Sequence, residues 1–137
     1  MLKRVLSRFL LAMLCISWAV SARAVDIQKL DDGTPYLVGG VTKDERKELE
    51  SLRSMFNMWV QTAALQSGSY LSDVNVTVID SQGKTVFDQK LDGPWLMAKL
   101  PVGRYRVNAS YETQTLHRDV KVLAQKMEPV YFHFNVP

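Results

Sequence analysis

From Tyr70 to the end of the chain, apolar residues recur at every second position, and turn residues interrupt them at short intervals. Val74, Val76 and Val78 alternate with Asn75 and Thr77. Leu96, Ala98 and Leu100 alternate with Met97 and Lys99, and Tyr105, Val107 and Ala109 with Arg104, Arg106 and Asn108. A period of two is that of a strand with one face in the core. Ser81-Gln82-Gly83, Asp92-Gly93-Pro94 and Leu100-Pro101-Val102-Gly103 break the pattern with residues that favour tight turns. The alternation predicts strands over 73–80, 84–89, 95–100, 104–111, 116–123 and 130–136. Short strands joined by turns predict an antiparallel sandwich of about six to seven strands, since a parallel sheet needs long crossovers.

Ahead of this region the spacing changes. Thr42 and Glu45 form a capping box, and Leu49, Leu52, Phe56, Trp59 and Ala63 follow at intervals of three and four. Lys43, Glu50, Arg53, Asn57 and Gln61 fall on the opposite side, and Gly68 is a stop. One long amphipathic helix over 42–67 is predicted, its apolar stripe packed on the sandwich. Its polar side mixes Glu45, Glu48 and Glu50 with Lys47 and Arg53, unlike the basic face that anionic lipid attracts. Residues 25–41 have little periodicity and read as an extended leader, with a short edge strand at 35–38 as the second reading.

Residues 1–24 read as a secretory signal peptide. Lys3, Arg4 and Arg8 precede an apolar run from Phe9 to Val20, and Ala22-Arg23-Ala24 supplies the small residues for cleavage after Ala24. The run is too short to cross roughly 30 Å of hydrocarbon. Cys15, after the large Leu14, does not suit lipid attachment. A periplasmic or secreted product, with no transmembrane segment after cleavage, is expected. Removal of this segment also reverses the charge. Of the 17 basic residues four lie within 1–24, while all 14 acids lie beyond it, so the net of +3 becomes −1. No basic field remains to attract nucleic acid. The only cysteine leaves too, so one 113-residue domain must be held by its core without disulfides.

Catalytic and metal signatures are missing from the pattern. His117 and His133 are isolated, and neither has a glutamate three residues on, as a zinc carboxypeptidase site requires. No serine sits in a nucleophile elbow. The glycines of Gly93-Pro94-Trp95 and Pro101-Val102-Gly103 are followed by strands, whereas a phosphate cradle opens a helix. Asp80-Ser81-Gln82-Gly83 and Asp92-Gly93 lack the alternating oxygen ligands of a calcium loop and read as turns. No enzyme, cofactor or metal is expected.

The run GPWLMAKLPVGRYRVNASY, preceded by VNVTVIDSQGKTVF and followed by VKVLAQKMEPVYFHF, resembles the carboxypeptidase regulatory-like domain. Leu100-Pro101, Gly103, Tyr105 and Val107 match the hallmark of that family. The resemblance spans roughly 72–136 and is shared with starch-binding-like modules, while Gly40 to Arg46 and the helix look like those of small exported bacterial proteins of unassigned function. It implies a transthyretin-like, immunoglobulin-like β-sandwich over 70–137 and a non-catalytic role. Two functions follow as expectations: a structural or interaction module of the cell envelope, working through a sheet edge or aromatic patch on a protein partner, or a carbohydrate-binding module. Trp95, Tyr131 and His133 are the candidate ligand-binding residues. If Leu96, Ala98, Phe132 and Phe134 face the core, the pleat sends Trp95, Met97, Tyr131 and His133 to the outer face. There the helix is expected to cover them; left open, they would stack on sugar rings or a partner.

Overall fold

The computed structural model describes residues 25–137, so the signal-peptide reading lies outside the described residues. In chain order the elements are strands β1 (Gln28–Lys29) and β2 (Pro35–Gly39), helix α1 (Lys43–Ser51), a 3₁₀ turn at Arg53–Met55, and β3 (Met58–Ala64). There follow β4 (Asn75–Asp80), β5 (Thr85–Lys90), β6 (Trp95–Ala98), β7 (Gly103–Tyr111), β8 (Gln114–Val122) and β9 (Pro129–Phe134). They form a five-stranded sheet, β1-β2-β6-β3-β9, and a four-stranded sheet, β5-β4-β7-β8. All pairings are antiparallel except β3 with β9. The described residues are thus mainly β, with two sheets and one short helix.

The period-two residues meet between the sheets. Val76, Val78, Phe87, Tyr105, Val107 and Ala109 from one sheet share a core with Val60, Leu96, Ala98, Phe132 and Phe134 from the other. The strands predicted from Asp73 onward all form, with no end shifted by more than two residues. Asp80 closes the β4–β5 turn, its Oδ1 accepting from the amides of Gln82 and Lys84, both at 2.9 Å. Gly83 adopts the positive φ of 82° that this turn requires. Among the described residues no helix is long and apolar enough to cross a membrane.

The long helix over 42–67 is corrected. Thr42 does cap a helix, accepting from the Glu45 amide at 3.1 Å, but that helix stops at Ser51. Beyond the 3₁₀ turn the chain becomes β3, an interior strand of the five-stranded sheet between β6 and β9, and every one of its seven residues is buried. A strand covered on both faces reads as a continuous apolar run, and here its Trp59 and Ala63 happened to continue the helical spacing. Asn57 marks the change. Its side-chain amide donates to the Leu100 carbonyl at 2.7 Å and its carbonyl accepts from the Leu100 amide at 2.8 Å, so it pairs as a strand would.

The extended leader is corrected as well. Residues 35–39 pair with β6, and β1 flanks them on the outside, so β2 lies one strand in from the edge.

Candidate functional site

The outward face of the five-stranded sheet holds the residues singled out from the sequence. Register places Leu37, Met97, Trp59 and Pro129 in one row, and Gly39, Trp95, Gln61 and Tyr131 in the next. Ala63 then stands beside His133 on one side and, through an isolated bridge, beside Tyr70 on the other. Rows two apart on a strand share a face, and neighbouring strands lie about 4.8 Å apart.

Half of this face is covered. Leu49 of α1, Phe56 and Met127 close over Leu37, Met97, Trp59 and Trp95 to make a second core. The Trp59 and Trp95 rings meet edge to face, their centroids 4.9 Å apart, and Tyr70 packs edge-on against Trp95 at 6.0 Å. Arg53 sits 5.2 Å from the Trp59 ring and donates to the Met127 carbonyl at 3.0 Å. Arg46 sits 4.9 Å from the Tyr70 ring and is anchored on the Gly40 carbonyl at 2.8 Å. Gly40 is required here, because a Cβ would come within 2.9 Å of the Trp95 ring. Neither indole N–H has a hydrogen-bond partner among the described residues, at about 1–3 kcal/mol each for a buried orphan donor. Burial of so much aromatic surface offsets that loss.

The other half is open. Tyr131 is 50% exposed, and its ring stacks on that of His133 at 6.1 Å with a tilt of 25°. Between this pair and Trp95 lies Gln61, buried, with no hydrogen bond from its amide to the described residues. Trp95 is 3% exposed, so of the three candidates the fold brings Tyr131 and His133 together at the surface and sets Trp95 beneath the helix.

The same pair lies on a sheet edge. In a parallel ladder both backbone groups of alternate residues point to one side. The Phe134 carbonyl accepts from Leu65 of the β3 side at 2.7 Å, whereas the amide and carbonyl of Asn135 turn away, to the side-chain amide of Gln114 at 2.9 and 2.7 Å. By the same alternation the backbone groups of Tyr131 and His133 turn away from β3, and among the described residues no strand pairs with them. The facing edge of β8 is guarded differently. Arg118 donates to the His117 carbonyl at 2.9 Å and lies 5.5 Å from the Phe132 ring.

Gln61, Tyr70, Gln114 and Arg118 were missed in the sequence. Gln61 read as one of several polar helix residues. The edge-capping pair Gln114–Asn135 spans 21 positions and leaves no local signal. No group of three or more His, Cys, Asp or Glu side chains converges among the described residues. No protein-family model matches the chain, and no curated protein matches it either.

Proposed function

We propose that this protein is a non-catalytic interaction module of the cell envelope, exported with cleavage after Ala24, that binds an extended protein segment by adding it as a strand beside β9. We further infer that its two sheets form a transthyretin-like sandwich of the carboxypeptidase regulatory-like kind. Support for the sandwich type comes from the Leu100–Val107 stretch, which carries the chain from one sheet to the other. There the Tyr105 hydroxyl latches the turn by donating to the Pro101 carbonyl at 2.6 Å.

The observation that carries the function is the gap in edge protection. Natural sheets guard their edges with charges, bulges or covering segments. Gln114 and Arg118 do so at Asn135 and His117. The stretch at Tyr131 and His133 keeps two outward amides and two outward carbonyls beside an exposed ring pair. Strand addition uses such main-chain groups for affinity and adjacent side chains for selection.

Panning residues 25–137 against a displayed random-peptide library tests the reading. Selected peptides should protect the Tyr131 and His133 amides from hydrogen exchange. His133→Pro should abolish binding with the fold intact, since proline is tolerated where the N–H leaves the ladder. Peptides that still bind the proline variant would overturn the reading. The low tilt between the Tyr131 and His133 rings favours a second reading, a carbohydrate-binding module stacking a sugar on them. On a glycan array, that reading requires binding that tolerates His133→Pro and is lost in Tyr131→Ala.

A further inference from the structure

The outward face of the four-stranded sheet is unlike the one just described, and a charge arrangement at one end of it has no internal explanation. Register sets Asn75 beside Ser110 and Thr115, Thr77 beside Asn108 and His117, and Ile79 beside Arg106 and Asp119. In the last row Arg104 stands directly opposite Lys121. Like charges at such a position lie about 5 Å apart at Cβ and destabilise the pairing.

The nearby acids do not relieve them. Asp119 receives both hydrogen bonds of the Arg106 fork, at 2.8 and 3.2 Å. Asp80 is held by the amides of its own turn. Neither Arg104 nor Lys121 has an acidic partner among the described residues. The three cations line an open hollow of about 370 Å³ together with Ser81 and the carboxylates of Asp80 and Asp119, which are engaged by the turn amides and by Arg106.

We propose that Arg104, Lys121 and Arg106 form a binding site for a phosphate-type oxyanion, on the face opposite to the β9 edge and independent of it. The guanidinium of Arg104 offers a planar fork of donors, and Lys121 a mobile point charge. That combination suits a tetrahedral oxyanion. An anion between them converts a repulsive pair into two attractive ones. The hollow is far larger than one water's share of liquid volume, about 30 Å³, and open, so the phosphate can be free or carried on a larger molecule.

Inorganic phosphate and tripolyphosphate, titrated at constant ionic strength into ¹⁵N-labelled residues 25–137, test the site. Saturable shifts should centre on the amides of Arg104, Arg106, Lys121 and Ser81. Equal affinity for the two probes identifies the free ion as the ligand. Affinity that rises with the phosphate chain identifies a polymer-borne group. Lys121→Glu should weaken binding about tenfold or more, as expected for loss of a charge-assisted contact. Without phosphate, that variant should melt higher than the parent, because Arg104 then faces an opposite charge. Phosphate should raise the melting temperature of the parent alone. Shifts spread evenly over the surface, or an equal response in Lys121→Glu, would overturn the proposal.

Discussion

On the five-stranded sheet the outward residues Leu37, Met97, Trp59 and Trp95 are all buried, whereas on the four-stranded sheet the outward residues Asn75, Thr77, Arg106 and Asn108 are not. Both faces carry the same strand period, so the period alone does not decide which face meets water. On the first sheet a nine-residue helix and the segment after it supply Leu49 and Phe56 as a cover. On the second, hydroxyls, amides and charges make a cover unnecessary. A second core therefore arises outside the sheets only where the outward residues themselves are apolar. Its edge falls at Gln61, where the open half carrying Tyr131 and His133 begins.

The comparison breaks most sharply at Phe56. It is 2% exposed and holds the cover down, so Phe56→Ala should cost about 3–5 kcal/mol in urea unfolding. Acrylamide quenching of Trp59 and Trp95 should rise with it. A near-neutral result would mean that the helix does not stabilise that face. Asn57→Ala should cost less, about 1–3 kcal/mol, because it orphans the buried backbone groups of Leu100 rather than opening a cavity.

The smallest effect belongs to the polar face. The hydrogen bond from Arg106 holds the Asp119 carboxyl below its ordinary range. Its folded pKa is thus lower than its unfolded one. The stability it contributes is present above about pH 4 and lost as pH falls through the folded value. Both side chains are more than half exposed, so the loss should be slight and should shrink with salt. Asp119→Asn should lower stability near neutral pH by that small amount. It should leave the most acidic region, where the carboxyl is protonated folded and unfolded, almost unchanged, so that the acid limb flattens.

Of the six strands from β4 to β9, five were legible because each has one face in the core, which writes itself as alternation. β6 is buried on both faces like β3, and the turn residues Asp92-Gly93-Pro94 and Pro101-Val102-Gly103 on either side marked it instead. β3 was not legible, because Met58 to Ala64 is buried on both sides and carries no period of its own. Only Asn57, a poor helix interior residue, hinted at the break, and its strand-like pairing with Leu100 lies 43 positions away. The site was legible in part. Alternation sends Tyr131 and His133 outward, yet it cannot tell a covered outer face from an open one. Trp95 and Tyr131 sit in the same row with opposite burial for that reason.

The parallel pairing of β3 with β9 also sets the order in which the chain can assemble. The β4–β5 and β7–β8 pairs each join consecutive strands through a tight turn, so two of the four-stranded sheet's three pairings are local. Trp59 meets Pro129 across 70 residues, and β6 must also reach back to β2 and β3. Loop closure over such separations slows folding more than it lowers stability. The five-stranded sheet is therefore the late half of the molecule. Until Pro129 to Phe134 has been synthesised, β3 has one bare side and the core lacks Phe132 and Phe134. A chain built this way stays unfinished until its last strand arrives.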